Sequence, residues 1–152
     1  MNILSFFKLI LLLVVALSVT SCRYILTSDL KEEVEKLDAA KILWSQKNTG
    51  SYQFTKTYAC YCDAVSITIF VANNQVSQVI DANNGEMLSL DSADTIDEIF
   101  SWIDKQLSEI PYPSKFDVIY DEENGYPVSI YRDTDENASD DETSISITEF
   151  SF

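Results

Sequence analysis

From Ser51 onward the apolar residues of this chain fall on alternate positions, and that period constrains its fold more than any other feature. Tyr52, Phe54, Tyr58, Cys60 and Cys62 share one parity, and Val65, Ile67, Ile69 and Val71 share the other. A period of two sends successive side chains to opposite faces, so these runs predict half-buried strands. Asn73-Asn74 separates the second run from residues 76–80, and two-residue Asn-rich connections are those of tight hairpins. Three strands in a meander follow. Another turn, Asn83-Asn84-Gly85, precedes residues 87–90, which read as an optional fourth strand.

The helical period appears on either side of this block. Ser28 and Asp29 offer an N-cap, and Leu30, Val34, Leu37, Ile42 and Trp44 recur at roughly helical spacing, which predicts a helix over 29–47 ended by Asn48-Thr49-Gly50. Thr95-Ile96-Asp97-Glu98 is a capping box, with acids at the positive end of the helix dipole. Ile96, Ile99, Phe100, Ile103 and Leu107 then form one stripe, and the helix must stop before Pro111 and Pro113. Three more strands are expected around 116–120, 126–133 and 143–152, the first two joined through Glu123-Asn124-Gly125 and the last two by an acidic loop. The expected fold is α+β, in the order α-βββ(β)-α-βββ. An antiparallel sheet of about six strands would carry both helices on one face. The two halves share a helix-then-meander plan, as a duplication would produce, although their residues do not align.

The first residues belong to a different problem. Lys8 is the only charge before an unbroken apolar run over 9–17, too short to span a bilayer, which needs about 20 apolar residues. The run has the build of a signal peptide. It ends in Val19-Thr20-Ser21-Cys22, which resembles the lipobox of bacterial lipoproteins. That resemblance implies diacylglycerol on the Cys22 thiol, cleavage before Cys22, and stable anchoring through two or three acyl chains. Residues 1–21 are then the signal peptide, 22–28 a lipidated tether and 29–152 a single domain. Arg23, by the same resemblance, leans toward outer-membrane sorting, and the domain would lie on the periplasmic or extracytoplasmic side.

Charge and composition exclude several classes. Removing Lys8 takes the formal net charge from −15 to −16, which repels phosphate backbones and anionic lipid alike. Nucleic acid is therefore not an expected partner. The chain has no histidine, so classical serine or cysteine hydrolase triads and histidine-based zinc sites are ruled out. No cofactor is indicated.

Four groups of residues remain as candidate sites. Cys60 and Cys62 would meet an oxidising compartment after export, and a disulfide is the expected state. Two residues along a regular strand place their α-carbons about 6.6–6.8 Å apart, at the upper edge for a bond, so bonding needs a bulge or kink. A structural disulfide, a strained redox-active pair and free thiols all stay open. Asp133, Asp135 and Asn137, with Asp141 across the loop, open like a calcium site. Ala138 and Ser144 depart from that pattern where a glycine and a bidentate glutamate belong, and a solvated acidic loop is the simpler reading. Asp121 beside Glu122 and Glu123 could pair for acid–base work, though close carboxylates arise by chance in so acidic a chain. Tyr112, Tyr120, Tyr126 and Tyr131 could make an aromatic binding surface, or sit half-buried at strand spacing.

Tyr52-Gln53-Phe54 ahead of Cys60-Tyr61-Cys62, then Thr95-Ile96-Asp97 with Phe100, then Tyr120-Asp121 with Gly125-Tyr126-Pro127 and Asp133, make an ordered set across nearly the whole domain. It resembles a family of small bacterial lipoproteins built on domain of unknown function 6174. The resemblance implies one domain and the lipoprotein class, and no mechanism. The functional expectation is a non-enzymatic envelope lipoprotein that binds or supports an envelope protein or glycan. A calcium- or cation-responsive module and a carboxylate-dependent hydrolase are the alternatives.

Overall fold

The computed structural model describes residues 28–138 and 140–152. The expected signal peptide over 1–21, Cys22 and all but the last residue of the expected tether over 22–28 lie outside the described residues. Helix α1 (Ser28–Lys47) leads into strands β1 (Tyr52–Cys60), β2 (Cys62–Ala72) and β3 (Gln75–Asp81). A 3-10 turn (Leu90–Ser92) and helix α2 (Ile96–Ser108) precede β4 (Lys115–Tyr120), β5 (Pro127–Asp133) and β6 (Thr143–Ser151). All six strands form one antiparallel sheet in the order β3-β2-β1-β6-β5-β4. The α+β class and the α-βββ-α-βββ order read from the sequence are therefore those of the structure.

Alternation decides which face carries the core. Tyr52 pairs with Val71, Phe54 with Ile69, Ile69 with Val79, and Val118 with Ile130, so these side chains share the face on which the helices lie. Phe54, Ile69, Val79 and Ile130 are fully buried there with Leu37 and Trp44 of α1 and Ile96 and Ile103 of α2. The opposite face alternates to hydroxyl side chains: Thr55 meets Thr68 at 3.1 Å and Thr57 meets Ser66 at 2.7 Å. No described helix covers it.

The expected capping box starts α2. Thr95 Oγ1 accepts from the Glu98 amide at 3.2 Å, and the Glu98 carboxylate accepts from the Thr95 amide at 2.7 Å. A third amide at this helix start, that of Ile96, donates to the Tyr52 hydroxyl at 3.1 Å. Sheet and helix are thus joined by a hydrogen bond that satisfies an otherwise orphaned donor. Burial pushes the Tyr52 hydroxyl up to about 12.

Four local expectations change. Ile42 is 60 % exposed, because five residues after Leu37 it has turned away from the stripe, which runs through Glu33, Leu37, Ala40 and Trp44. Residues 87–90 are not a strand: a single bridge joins Met87 to Ile80, and the chain then enters the 3-10 turn. Cys62 starts β2 rather than ending β1, since the chain reverses at Tyr61. In β6 an extra residue, Glu149 at φ 51°, shifts the pairing so that Thr55 faces Thr148 but Gln53 faces Ser151. That bulge turns Phe150 inward, where its ring stacks on Tyr126 at 4.1 Å.

Candidate functional site

The inward positions of β1 read Tyr52, Phe54, Lys56, Tyr58, and those of β5 read Ile130, Arg132, so the helix-covered face changes character toward the β1–β2 hairpin. Its apolar part ends and two cations enter. Between these strand ends and α2 lies a cavity of about 380 Å³, lined by Lys56, Tyr58, Ile99, Trp102, Arg132 and Ile145, with Asp94 and Thr143 at its edges. A cavity of this size is in the range of small-molecule sites.

The two cations differ in their bonding. The Lys56 side chain is only 14 % exposed and its Nζ donates to Asp94 Oδ2 at 2.7 Å. Arg132 Nε is buried without a hydrogen-bond partner, and among the described residues the Arg132 guanidinium makes no ion pair. Trp102 supplies an indole wall, braced against Phe116 at 6.1 Å between ring centres. Asp94 is the single carboxylate lining the cavity, and it is engaged by Lys56. The arrangement suits binding of an anion with an apolar body. It has neither two facing carboxylates nor a nucleophile–base pair for hydrolysis.

Cys60 and Cys62 are bonded to each other, with α-carbons 5.0 Å apart. They are cross-strand partners at a hairpin whose tip is the 83 % exposed Tyr61, and the pairing shifts between Tyr58 and Cys60. The kink that bonding requires is thus the chain reversal itself. Around the acidic loop, Asp141 Oδ2 accepts from the Asp135 amide at 2.8 Å, while Asp135 Oδ1 accepts from both the amide and the side-chain nitrogen of Asn137 at 3.0 Å. Those two bonds hold the Asp135 carboxyl below its ordinary value. Desolvation, with Asp141 and then Glu142 nearby, holds Asp133 above its own. Asp133 Oδ1 and Asp141 Oδ1 find no partner, yet among the described residues no three acidic or cysteine side chains converge as a metal site. The loop is held by these bonds and by Ser114, whose hydroxyl donates to the Thr134 carbonyl and accepts from the Glu136 amide, each at 3.2 Å.

Asp121 has a structural task. Its Oδ1 accepts from the Glu123 amide at 3.1 Å, and from the Asn124 amide and side chain at 2.7 Å and 3.0 Å, closing the β4–β5 turn. Nor do the four tyrosines form one surface. Tyr120 stacks on Phe100, Tyr126 on Phe150, and Tyr112 meets Phe116 edge-on, all against the core. Tyr131 faces the other side of the sheet, beneath Lys115. Burial, with Glu33 nearby, pushes the Tyr112 hydroxyl up to about 12 and raises that of Tyr120 as well.

Lys56, Trp102 and Arg132 were not among the sequence candidates. The signal was present in the alternation: a lysine and an arginine each occupy the inward parity of an otherwise apolar-in strand. A charge at such a position must be paired, reach back to solvent or serve a site.

No described helix is long and apolar enough to cross a membrane. No curated protein and no solved structure matches the chain. A family model does match, over residues 36–152, and its description is a family of unknown function. Since that span takes in most of α1, the complete sheet, the disulfide hairpin and the cationic cleft, the chain belongs to the family of unknown function DUF6174.

Proposed function

We propose that this chain is a lipid-anchored, non-enzymatic binding module of the bacterial cell envelope, held through Cys22 on the extracytoplasmic side of a membrane. The observation that carries the binding reading is the cleft beneath α2, which brings an unpaired guanidinium and an indole wall together with no catalytic pair. Support for the compartment comes from Val19-Thr20-Ser21-Cys22 and from the Cys60–Cys62 bond, which is at home in an oxidising environment. A net charge of −16 after loss of the first 21 residues sets the domain against anionic lipid, so acyl chains rather than protein surface would hold it.

Labelling of growing cells with an alkyne palmitate, followed by membrane fractionation, tests the anchor. The expected result is label on the membrane-bound wild type and none on Cys22→Ala, which leaves the membrane or accumulates as precursor. Equal labelling of the two proteins contradicts the assignment.

A further inference from the structure

We propose that the cleft beneath α2 is a binding site for an organic monoanion, a carboxylate on an apolar body, with Arg132 as the anion-binding group. This rests on the binding reading above and gives it a ligand class.

The argument begins with charge. The chain has 25 acidic residues against 10 basic ones, so cations have carboxylates in excess around them. Lys31, Lys36, Lys41, Lys56, Lys105 and Lys115 each pair with at least one, and Lys47, which pairs with none among the described residues, is exposed to water. Arg132 does not, among the described residues, although it is half-buried and its Nε is fully shielded without a partner. An unpaired cation withdrawn from water costs stability, and a guanidinium offers a planar fork of donors matched to carboxylate. In so acidic a molecule, a half-buried arginine kept clear of its own carboxylates is one that an incoming anion can reach.

Geometry fixes the rest of the ligand. On β6, Ile147 is the partner of Lys56 and Thr143 the partner of Arg132, so four residues, about 13 Å of strand, separate the two cationic positions. Ile145, paired with Tyr58, lies midway and forms the floor, while Ile99 and Trp102 form the helix side. A ligand with its carboxylate on Arg132 lays its body over Ile145 against Trp102. At the far end Lys56 is already neutralised by Asp94, so a second negative group there would have to displace Asp94. The cleft therefore carries one net positive charge for one anion, and the cavity of about 380 Å³ admits a bicyclic ring or a medium acyl chain.

Isothermal titration of the full chain, purified in detergent with micelle blanks subtracted, tests this with naphthoate, decanoate and the neutral naphthamide. At least one carboxylate is expected to bind, and which of the two binds separates an aromatic from an acyl body. Naphthamide should bind about tenfold more weakly than naphthoate, or not at all where decanoate is the ligand. Arg132→Gln should weaken the carboxylate by about tenfold or more, and Arg132→Lys, which keeps charge but loses the fork, should recover part of it. Binding of neither carboxylate, naphthamide binding as tight as that of the carboxylate, or carboxylate binding unchanged in a folded Arg132→Gln each overturns the proposal. If Arg132→Gln does not fold, comparing the carboxylate that binds with its own neutral amide on wild type, naphthoate with naphthamide or decanoate with decanamide, still decides. Palmitate labelling reads the anchor alone and this titration the ligand alone, so either result can fail without the other.

Discussion

A Cβ added at Gly125 would lie 2.5 Å from the Ala40 carbonyl oxygen and 2.8 Å from the Trp44 nitrogen. Gly125 also sits at φ 84°, where a side chain is strained whatever the space around it. The β4–β5 turn thus rests directly on the backbone of α1, a contact only glycine permits. Gly125→Ala is expected to cost about 3 kcal/mol, from strain plus displacement of α1, measured as a shift in denaturant midpoint at unchanged slope. A loss within about 0.5 kcal/mol, the ordinary surface range, would show that the turn can move away freely. The turn at Glu123-Asn124-Gly125 was legible in the sequence. The close approach was not, because the contact with α1 spans some eighty residues of chain and leaves no local pattern.

Elements were legible wherever a period persisted long enough. The α2 stripe and capping box sit where Thr95, Glu98 and the four spaced isoleucine and phenylalanine positions put them. Reading failed at strand ends, where one residue changes parity. Cys60 and Cys62 share a parity in sequence, yet the reversal at Tyr61 makes them partners across a hairpin. In β6 the bulge at Glu149 rescues a pattern that alternation alone would spoil, since Phe150 would otherwise face away from the core. Deleting Glu149 removes the bulge and leaves plain alternation, with Ile147 in, Thr148 out and Phe150 in, so Phe150 keeps its place on Tyr126. The expected loss by thermal or chemical unfolding is only about 1 kcal/mol, that of the bond Thr55 Oγ1 donates to Glu149 Oε2 at 2.9 Å. A loss of about 3 kcal/mol or more, that of a displaced core aromatic, would mean that Phe150 does not follow alternation once the bulge is gone. Sheet order also bears on the shared plan of the two halves. Moving β1-β2-β3 onto β4-β5-β6 shifts the sheet by three strands and reverses every direction, which can be done only by turning the sheet over. That operation would put the helices on opposite faces, whereas both lie on one. The repeated plan is therefore not a symmetry of the fold.

At the scale of the molecule, one face of the sheet is committed to the core and changes along its length from aromatic packing to a cationic cleft. Trp44, Tyr52, Tyr126 and Phe150 contact one another at one end. Lys56, Trp102 and Arg132 line the other. This gradient explains why sequence reading found the fold and missed the site: hydrophobic pattern specifies the layer, while a cleft exists only once α2 is set against strands drawn from both halves. The candidates that sequence did offer, the acidic loop, Asp121 and the tyrosines, are mostly engaged in holding turns and core. Central to this account is a lipid-anchored domain that carries a small anion in the cleft. Native mass spectrometry of the full chain, released from its own membranes in a mild detergent, tests that claim most directly. The account predicts a polypeptide beginning at Cys22 with the mass of its acyl chains, accompanied by a dissociable small acidic adduct that is lost in Arg132→Gln. An unlipidated chain, or a lipidated one whose adducts are absent or indifferent to Arg132→Gln, would contradict it.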